Sequence, residues 1–142
     1  MIVIKNNILP VKGYKAMTLW PLLFIRKNAS VFAEVDYNHE KIHGRQQIEV
    51  HIVVGSILLT LASIGLISFW WVLCTPLSYF LWYIIEYFIR CLAYGNNNVG
   101  YRNISFEQEA YNNECDFCYL HNRKLYAWIK YLNKKTYSLS NK

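Results

Sequence analysis

Charge is almost missing from the middle of this chain. Between Val50 and Tyr94 there is no Lys and no Asp, and near neutral pH only His51, Glu86 and Arg90 can carry a charge. A long apolar block inside an otherwise polar chain is a membrane signature, and it argues against an ordinary soluble domain. Cysteine is sparse as well. Of the four, Cys74 and Cys91 fall inside the apolar block, and Cys115 and Cys118 lie in the polar part beyond it. That spacing excludes a disulfide framework of the dense, secreted kind. No nucleic-acid motif and no internal repeat is found. A signal peptide is not expected either, because the apolar stretch Met17 to Ile25 is short, is interrupted by Pro21 and lacks a small-residue cleavage pattern.

What is present fits one domain of 142 residues, 54% hydrophobic and 17% aromatic, with a formal net charge of +6. The basic residues flank the apolar block: Arg26, Lys27, Lys41 and Arg45 before most of it, Arg102, Arg123 and Lys124 after it. Flanking charge of this kind points to anionic lipid as the partner and not to nucleic acid. The block divides at Pro76. Residues 50–73 and 77–92 are expected to form two membrane helices, joined by the tight connection Cys74 to Ser78. A hairpin puts both termini on one side, and the positive-inside rule makes that side the cytoplasm.

The remaining segments are expected to form the polar part. Residues 1–37 read as strands and loops, with Thr18 to Ile25 as an edge strand because Pro21 cannot donate to a ladder. Asn38 is the expected N-cap of a helix over 38–49 that runs on into the membrane. The run Gly95 to Gly100 reads as a loop. Ser105 with Gln108 reads as a capping box opening C-terminal helices over 105–133. A polar tail, 134–142, follows. The fold class is thus a mainly α integral membrane protein: a transmembrane hairpin over 50–94 with a minimal polar part.

His39-Glu40-Lys41-Ile42-His43 is an HExxH sequence. On a helix, positions i and i+4 share a face, so His39 and His43 can reach one tetrahedral zinc ion. Glu40 lies beside them, placed to take a proton from zinc-bound water. Catalytic zinc takes three protein ligands and keeps one position open. His51 is too far along the helix to be the third. Glu49, ten residues after His39, points about 80° away on an ideal helix. The carboxylates after the block are Glu107, Glu109, Glu114 and Asp116.

The HExxH sequence, together with Phe106-Glu107-Gln108-Glu109-Ala110-Tyr111, resembles the gluzincin-type membrane zinc metallopeptidases, including the CAAX prenyl endopeptidases and their bacterial heat-shock relatives. Their second motif is E-x-x-A-D. The stretches NHEKIHGRQQ (38–47) and YRNISFEQEAY (101–111) also resemble a group of small bacterial membrane proteins. The resemblance covers under a fifth of the chain. It implies a zincin-like polar part, zinc as cofactor, His39, His43 and Glu107 as ligands, Glu40 as catalytic base, a peptide or protein substrate, and the bacterial inner membrane as location. Glu109 is the alternative ligand. Tyr111 stands where the family has Asp. Tyr101, Arg102 and Tyr111 are candidates for the group that stabilises an oxyanion, and Thr18 to Ile25 for an edge that pairs with an extended substrate. The rival reading is a membrane scaffold or binding protein that keeps the zincin-like fold without catalysis. Cys115 and Cys118, in a C-x-x-C sequence near His121, are read as incidental thiols, since no second cysteine pair lies in the polar parts.

Overall fold

The structure, a computed structural model, describes residues 1–11, 13–28 and 31–134. Short apolar runs near the N-terminus pair into a small sheet. Strands β1 (Ile2–Asn6), β2 (Ala16–Leu19) and β3 (Leu22–Arg26) lie in the order β1-β3-β2. β1 runs parallel to β3, and β2 runs antiparallel to it, with Thr18 opposite Leu23 and Leu19 opposite Leu22. Thr18 to Ile25 is therefore a hairpin and not the single strand expected. Pro21 has no N–H to offer a ladder, and the chain reverses at Trp20-Pro21. β2 is left as an edge.

Helix α1 (Glu34–Ser63) carries 30 residues, about 45 Å of rise. It starts four residues earlier than expected. Asp36 accepts a hydrogen bond from the Ala33 backbone N–H at 2.8 Å, and Glu34 and Asp36 place negative charge at the positive end of the helix. Asn38 is not the cap. It is buried inside the helix, and its side-chain amide donates to the carbonyls of Glu114 (2.8 Å) and Asp116 (3.1 Å). Gly44 lets α1 lie close to the sheet, since a Cβ there would sit 3.3 Å from Met1 Sδ and 3.6 Å from the Trp20 ring.

The hairpin is present, but its tip differs from the expectation. α1 stops at Ser63. Gly65 takes a left-handed φ of 78°, the Leu66 N–H bonds to the Leu61 carbonyl and the Gly65 N–H to the Ala62 carbonyl. This is the Schellman pattern of a glycine just past a helix end. The chain then returns along α1 as a 3-10 helix, Phe69–Leu77, followed directly by α2 (Ser78–Tyr94). Pro76 therefore lies within the returning limb and does not reverse the chain. A Cβ on Gly55 would touch Thr75 at 3.3 Å, which registers the two limbs. The helical stretches Glu34–Ser63 and Phe69–Tyr94 are each long and apolar enough to cross a bilayer.

The loop expected over 95–100 contains a short helix, α3 (Asn97–Arg102), because the Asn96 side chain accepts from the N–H groups of Asn98 and Val99. α4 (Ser105–Asn113), α5 (Tyr119–Asn122) and a 3-10 helix, Ala127–Tyr131, complete the described chain. The tail lies, apart from Lys134, outside the described residues. The capping box at Ser105 does not form. Glu86 of α2 instead accepts from the Ser105 N–H (2.9 Å) and hydroxyl (2.7 Å). A carboxylate from α2 thus caps α4, and Arg90 pairs with it at 3.0 Å. Tyr79, Ile104, Phe106 and Trp128 form the buried cluster beneath α4, with the Phe106 ring 4.5 Å from Tyr79 and 4.7 Å from Trp128, centroid to centroid. That packing fixes α4 against α2 and turns Glu107 toward α1.

Candidate metal centre

His39 and His43 stand one turn apart on α1, and their Nε2 atoms are 3.0 Å apart. Glu107 reaches in from α4, its Oε2 3.5 Å from His39 Nε2 and its Oε1 3.5 Å from His43 Nε2. The donor atoms of these three residues lie within 4.8 Å of one another. Together they could hold a metal ion. Glu107 Oε2 is buried and has no hydrogen-bond partner. A buried oxygen left this way costs free energy, and a cation bound between the three side chains would satisfy it.

The other ring nitrogens are also engaged. His39 Nδ1 lies 2.7 Å from Glu114 Oε2, and His43 Nδ1 lies 2.8 Å from Gln46 Oε1. A carboxylate and an amide oxygen can only accept, so each Nδ1 carries a proton, which leaves the Nε2 of each ring as the atom that could ligate a cation. Gln46 cannot be reversed, because its Nε2 donates to Glu109 Oε2 (3.0 Å) and to the Phe106 carbonyl (3.1 Å). Glu109 is held by Arg123 (Nε to Oε1, 2.5 Å) and by the Tyr119 hydroxyl (2.8 Å), and Arg123 also pairs with Glu49. A buried chain of polar contacts therefore runs Arg123, Glu109, Gln46, His43. The structure brings His39, His43 and Glu107 together and turns Glu109 away from them.

Electrostatics follow from that packing. Burial pulls the His39 pKa down, but the Glu107 and Glu114 carboxylates outweigh it and raise it from 6.5 to about 10. Burial opposes ionisation of Glu107, yet the His43 and His39 rings beside it hold its carboxyl well below the usual range. Two imidazolium rings cannot sit 3.0 Å apart without strong repulsion, so the pair retains one proton beside the Glu107 carboxylate when no cation is there.

Glu40 turns toward the sheet. Its Oε2 accepts from Thr18 Oγ1 at 2.7 Å. It lines a cavity of about 260 Å³ that also exposes His39, His43 and Glu107. The cavity has Thr18 and Met17 of β2 on one side and Phe80 and Tyr83 of α2 on the other. Tyr83 donates to Glu107 Oε1 at 2.7 Å. Tyr101 lines the same cavity. Tyr111 packs edge-on against His39, 4.7 Å between centroids, and the Arg102 guanidinium lies 4.7 Å from the Tyr111 ring centre. Cys115 and Cys118 are exposed free thiols and do not join the metal-ligating group.

Sequence reading gave Glu114, Gln46, Tyr83 and Arg123 no role in supporting the site. Two of these left a signal. Gln46 is three residues after His43, and Glu114 seven after Glu107, spacings that keep side chains on one helical face. Tyr83 and Arg123 left none, because each arrives from a separate element. No family model, curated protein or solved structure matches the chain.

Proposed function

We propose that this protein is a membrane-anchored zinc metallopeptidase. The observation that carries the reading is the pair of facing imidazole Nε2 atoms, 3.0 Å apart, with the Glu107 carboxylate 3.5 Å from both. Two nitrogens bound to a tetrahedral zinc at about 2.0–2.1 Å would lie roughly 3.3 Å apart, so small side-chain shifts suffice. Two imidazoles and one carboxylate suit zinc, and three protein donors leave a fourth position for water or substrate.

When bound, zinc supplies Lewis acidity and brings the pKa of coordinated water towards about 7. Glu107 gives the site its negative charge, and Tyr83 fixes the direction of that carboxylate. Thr18 holds Glu40 Oε2, which leaves Oε1 to take the proton from water and pass it to the leaving nitrogen. Water adds across the amide: the acyl carbon gains OH, the C–N bond breaks and the nitrogen gains H. Tyr101 is the cavity-lining candidate for stabilising the oxyanion. The outer edge of β2 supports pairing with an extended substrate chain.

The membrane reading rests on the hairpin surface. Ile57, Leu66, Trp70, Leu73 and Leu81 are each more than half exposed, a face suited to lipid and poorly suited to water. We place both termini on the cytoplasmic side of a bacterial inner membrane. Metal analysis and peptide hydrolysis on detergent-purified protein test the reading together. Near-stoichiometric zinc that is lost in His39→Ala and His43→Ala, and hydrolysis lost in Glu40→Gln, is the expected result. Zinc bound without hydrolysis of any peptide supports the scaffold reading instead.

A further inference from the structure

Gln47 lies one turn beyond His43 and is buried. Its amide acts on β2 as a neighbouring strand would. Nε2 donates to the Thr18 carbonyl at 2.7 Å, and Oε1 accepts from the Trp20 N–H at 2.8 Å. Along a strand, alternate residues point their backbone groups to opposite edges. The outward groups of β2 thus belong to Ala16, Thr18 and Trp20. Gln47 closes that edge at its Trp20 end. What remains for a docking chain is the Thr18 N–H and the two backbone groups of Ala16.

The cavity has the same polarity. Gln47, Tyr79 and His43 line it and are buried, whereas Val11 and Tyr14, which also line it, are 65% and 50% exposed. A chain therefore enters past Val11 and Tyr14 and ends against Gln47. The volume, about 260 Å³, falls below the roughly 300–1,000 Å³ of sites that enclose a drug-sized ligand. It suits a chain end better than a chain passing through.

Charge decides which end. No Lys or Arg lines the cavity among the described residues, and its acidic side chains are Glu40 and Glu107. With zinc bound, His39 and His43 are neutral ligands, so a terminal carboxylate would find no cationic side chain there. An α-ammonium has three donors. One of them meets the second lone pair of Gln47 Oε1, left over from the contact to Trp20, while Glu40 Oε1 stays free for water.

Building on the peptidase reading, we propose that the site takes peptides by their free amino terminus. The extended chain lies along Ala16 and Thr18 and its ammonium reaches the blind end at Gln47. The bond presented for hydrolysis is then close to the amino terminus, and Gln47 is the residue that sets this limit.

The test uses one short peptide in three forms: both ends free, amino end acetylated, and carboxyl end amidated. Binding to the zinc-loaded, detergent-purified chain is measured by calorimetry, and products are read by mass spectrometry. Acetylation should weaken binding about tenfold or more, the worth of a charge-assisted contact, and amidation should leave it unchanged. The first product should be released from the amino end. Gln47→Ala returns the Thr18 carbonyl and the Trp20 N–H to the edge, so the acetylated peptide should gain relative to the free one. Equal binding of acetylated and free peptides overturns the proposal, as does a loss caused by amidation alone. Amino-end preference in binding with no hydrolysis leaves the docking proposal standing and removes the peptidase reading. Internal cleavage indifferent to either end does the reverse.

Discussion

The Nδ1 of His39 donates to the Glu114 carboxylate at 2.7 Å, across 75 positions of sequence. Glu114 lies two helical turns beyond Glu107 and supplies the carboxylate that Tyr111, one turn beyond Glu107, does not. A ring so held turns its Nε2 toward His43 and Glu107, where a metal ion could bind. Losing such a partner typically weakens metal affinity about 10–100-fold. Glu114→Ala should show that loss in a chelator competition, while Cys115→Ser, next in sequence and exposed, should not. Wild-type affinity in Glu114→Ala would mean that packing against Tyr111 alone orients the ring.

Arg123 pairs with two buried carboxylates, Glu49 and Glu109, and is itself nearly buried. Removing the guanidinium leaves two uncompensated charges, for which about 3–5 kcal/mol is the usual cost. Arg123→Met should lower the melting temperature of both metal-free and zinc-loaded protein. Zinc affinity should also fall, because Gln46 loses the fixed acceptor that prevents its reversal at His43. A variant that melts earlier but binds zinc as tightly as the wild type would show that the chain of contacts ends at Gln46.

Much of this site was legible in the sequence. His39, Glu40 and His43 announce themselves by spacing and by residue type, whereas Glu107 came only through the resemblance to the E-x-x-A-D segment, with Glu109 as its alternative. What surrounds them was less so. Asn38 looked like a cap because Asn favours that position, yet its burial against the Glu114 segment depends on a contact 76 residues away. Gly65 was hidden in an apolar run, although a left-handed glycine ends α1 there and moves the hairpin tip. Glu86 stands four residues before Arg90, the spacing of a helical ion pair, and the two do pair. That Glu86 also caps α4 needed the third dimension, since no local pattern links residue 86 to residue 105.

The metal-free protein should have an asymmetric pH profile. His39 has a folded pKa raised above its ordinary 6.5 to about 10, so its contribution is complete below 6.5 and is lost as pH rises through about 10. Glu107 has a depressed pKa, so its contribution is present above its ordinary 4.5 and is lost as pH falls. Chelator-treated protein should therefore melt highest between about 4.5 and 6.5 and progressively lower towards 10. Zinc should remove the alkaline decline, because ligation requires Nε2 without its proton. A melting temperature of the metal-free protein that climbs from neutral to alkaline pH would contradict the charge assignment.

Glu40 and Glu107 should fail in different ways. Glu40 is bound to Thr18 and lines the cavity, with no place among the ligating atoms. Glu40→Gln keeps the shape and the Thr18 contact but cannot accept a proton from water. General-base help is typically worth about a hundredfold or more in rate, so hydrolysis should fall by at least that while zinc stays bound. Glu107 sits 3.5 Å from both imidazole Nε2 atoms and carries the charge that would balance a bound cation. Glu107→Gln retains one acceptor oxygen for Tyr83 yet loses that charge, so zinc affinity itself should drop and hydrolysis with it. Added zinc should restore part of the activity of Glu107→Gln and none of that of Glu40→Gln. Glu109→Gln is the control for register: it lies two residues on and contacts Arg123, Tyr119 and Gln46. If Glu109→Gln loses zinc more severely than Glu107→Gln, Glu107 is not the third ligand. If both keep it, the two histidines bind the metal with a different partner and the assignment of α4 to the site is wrong.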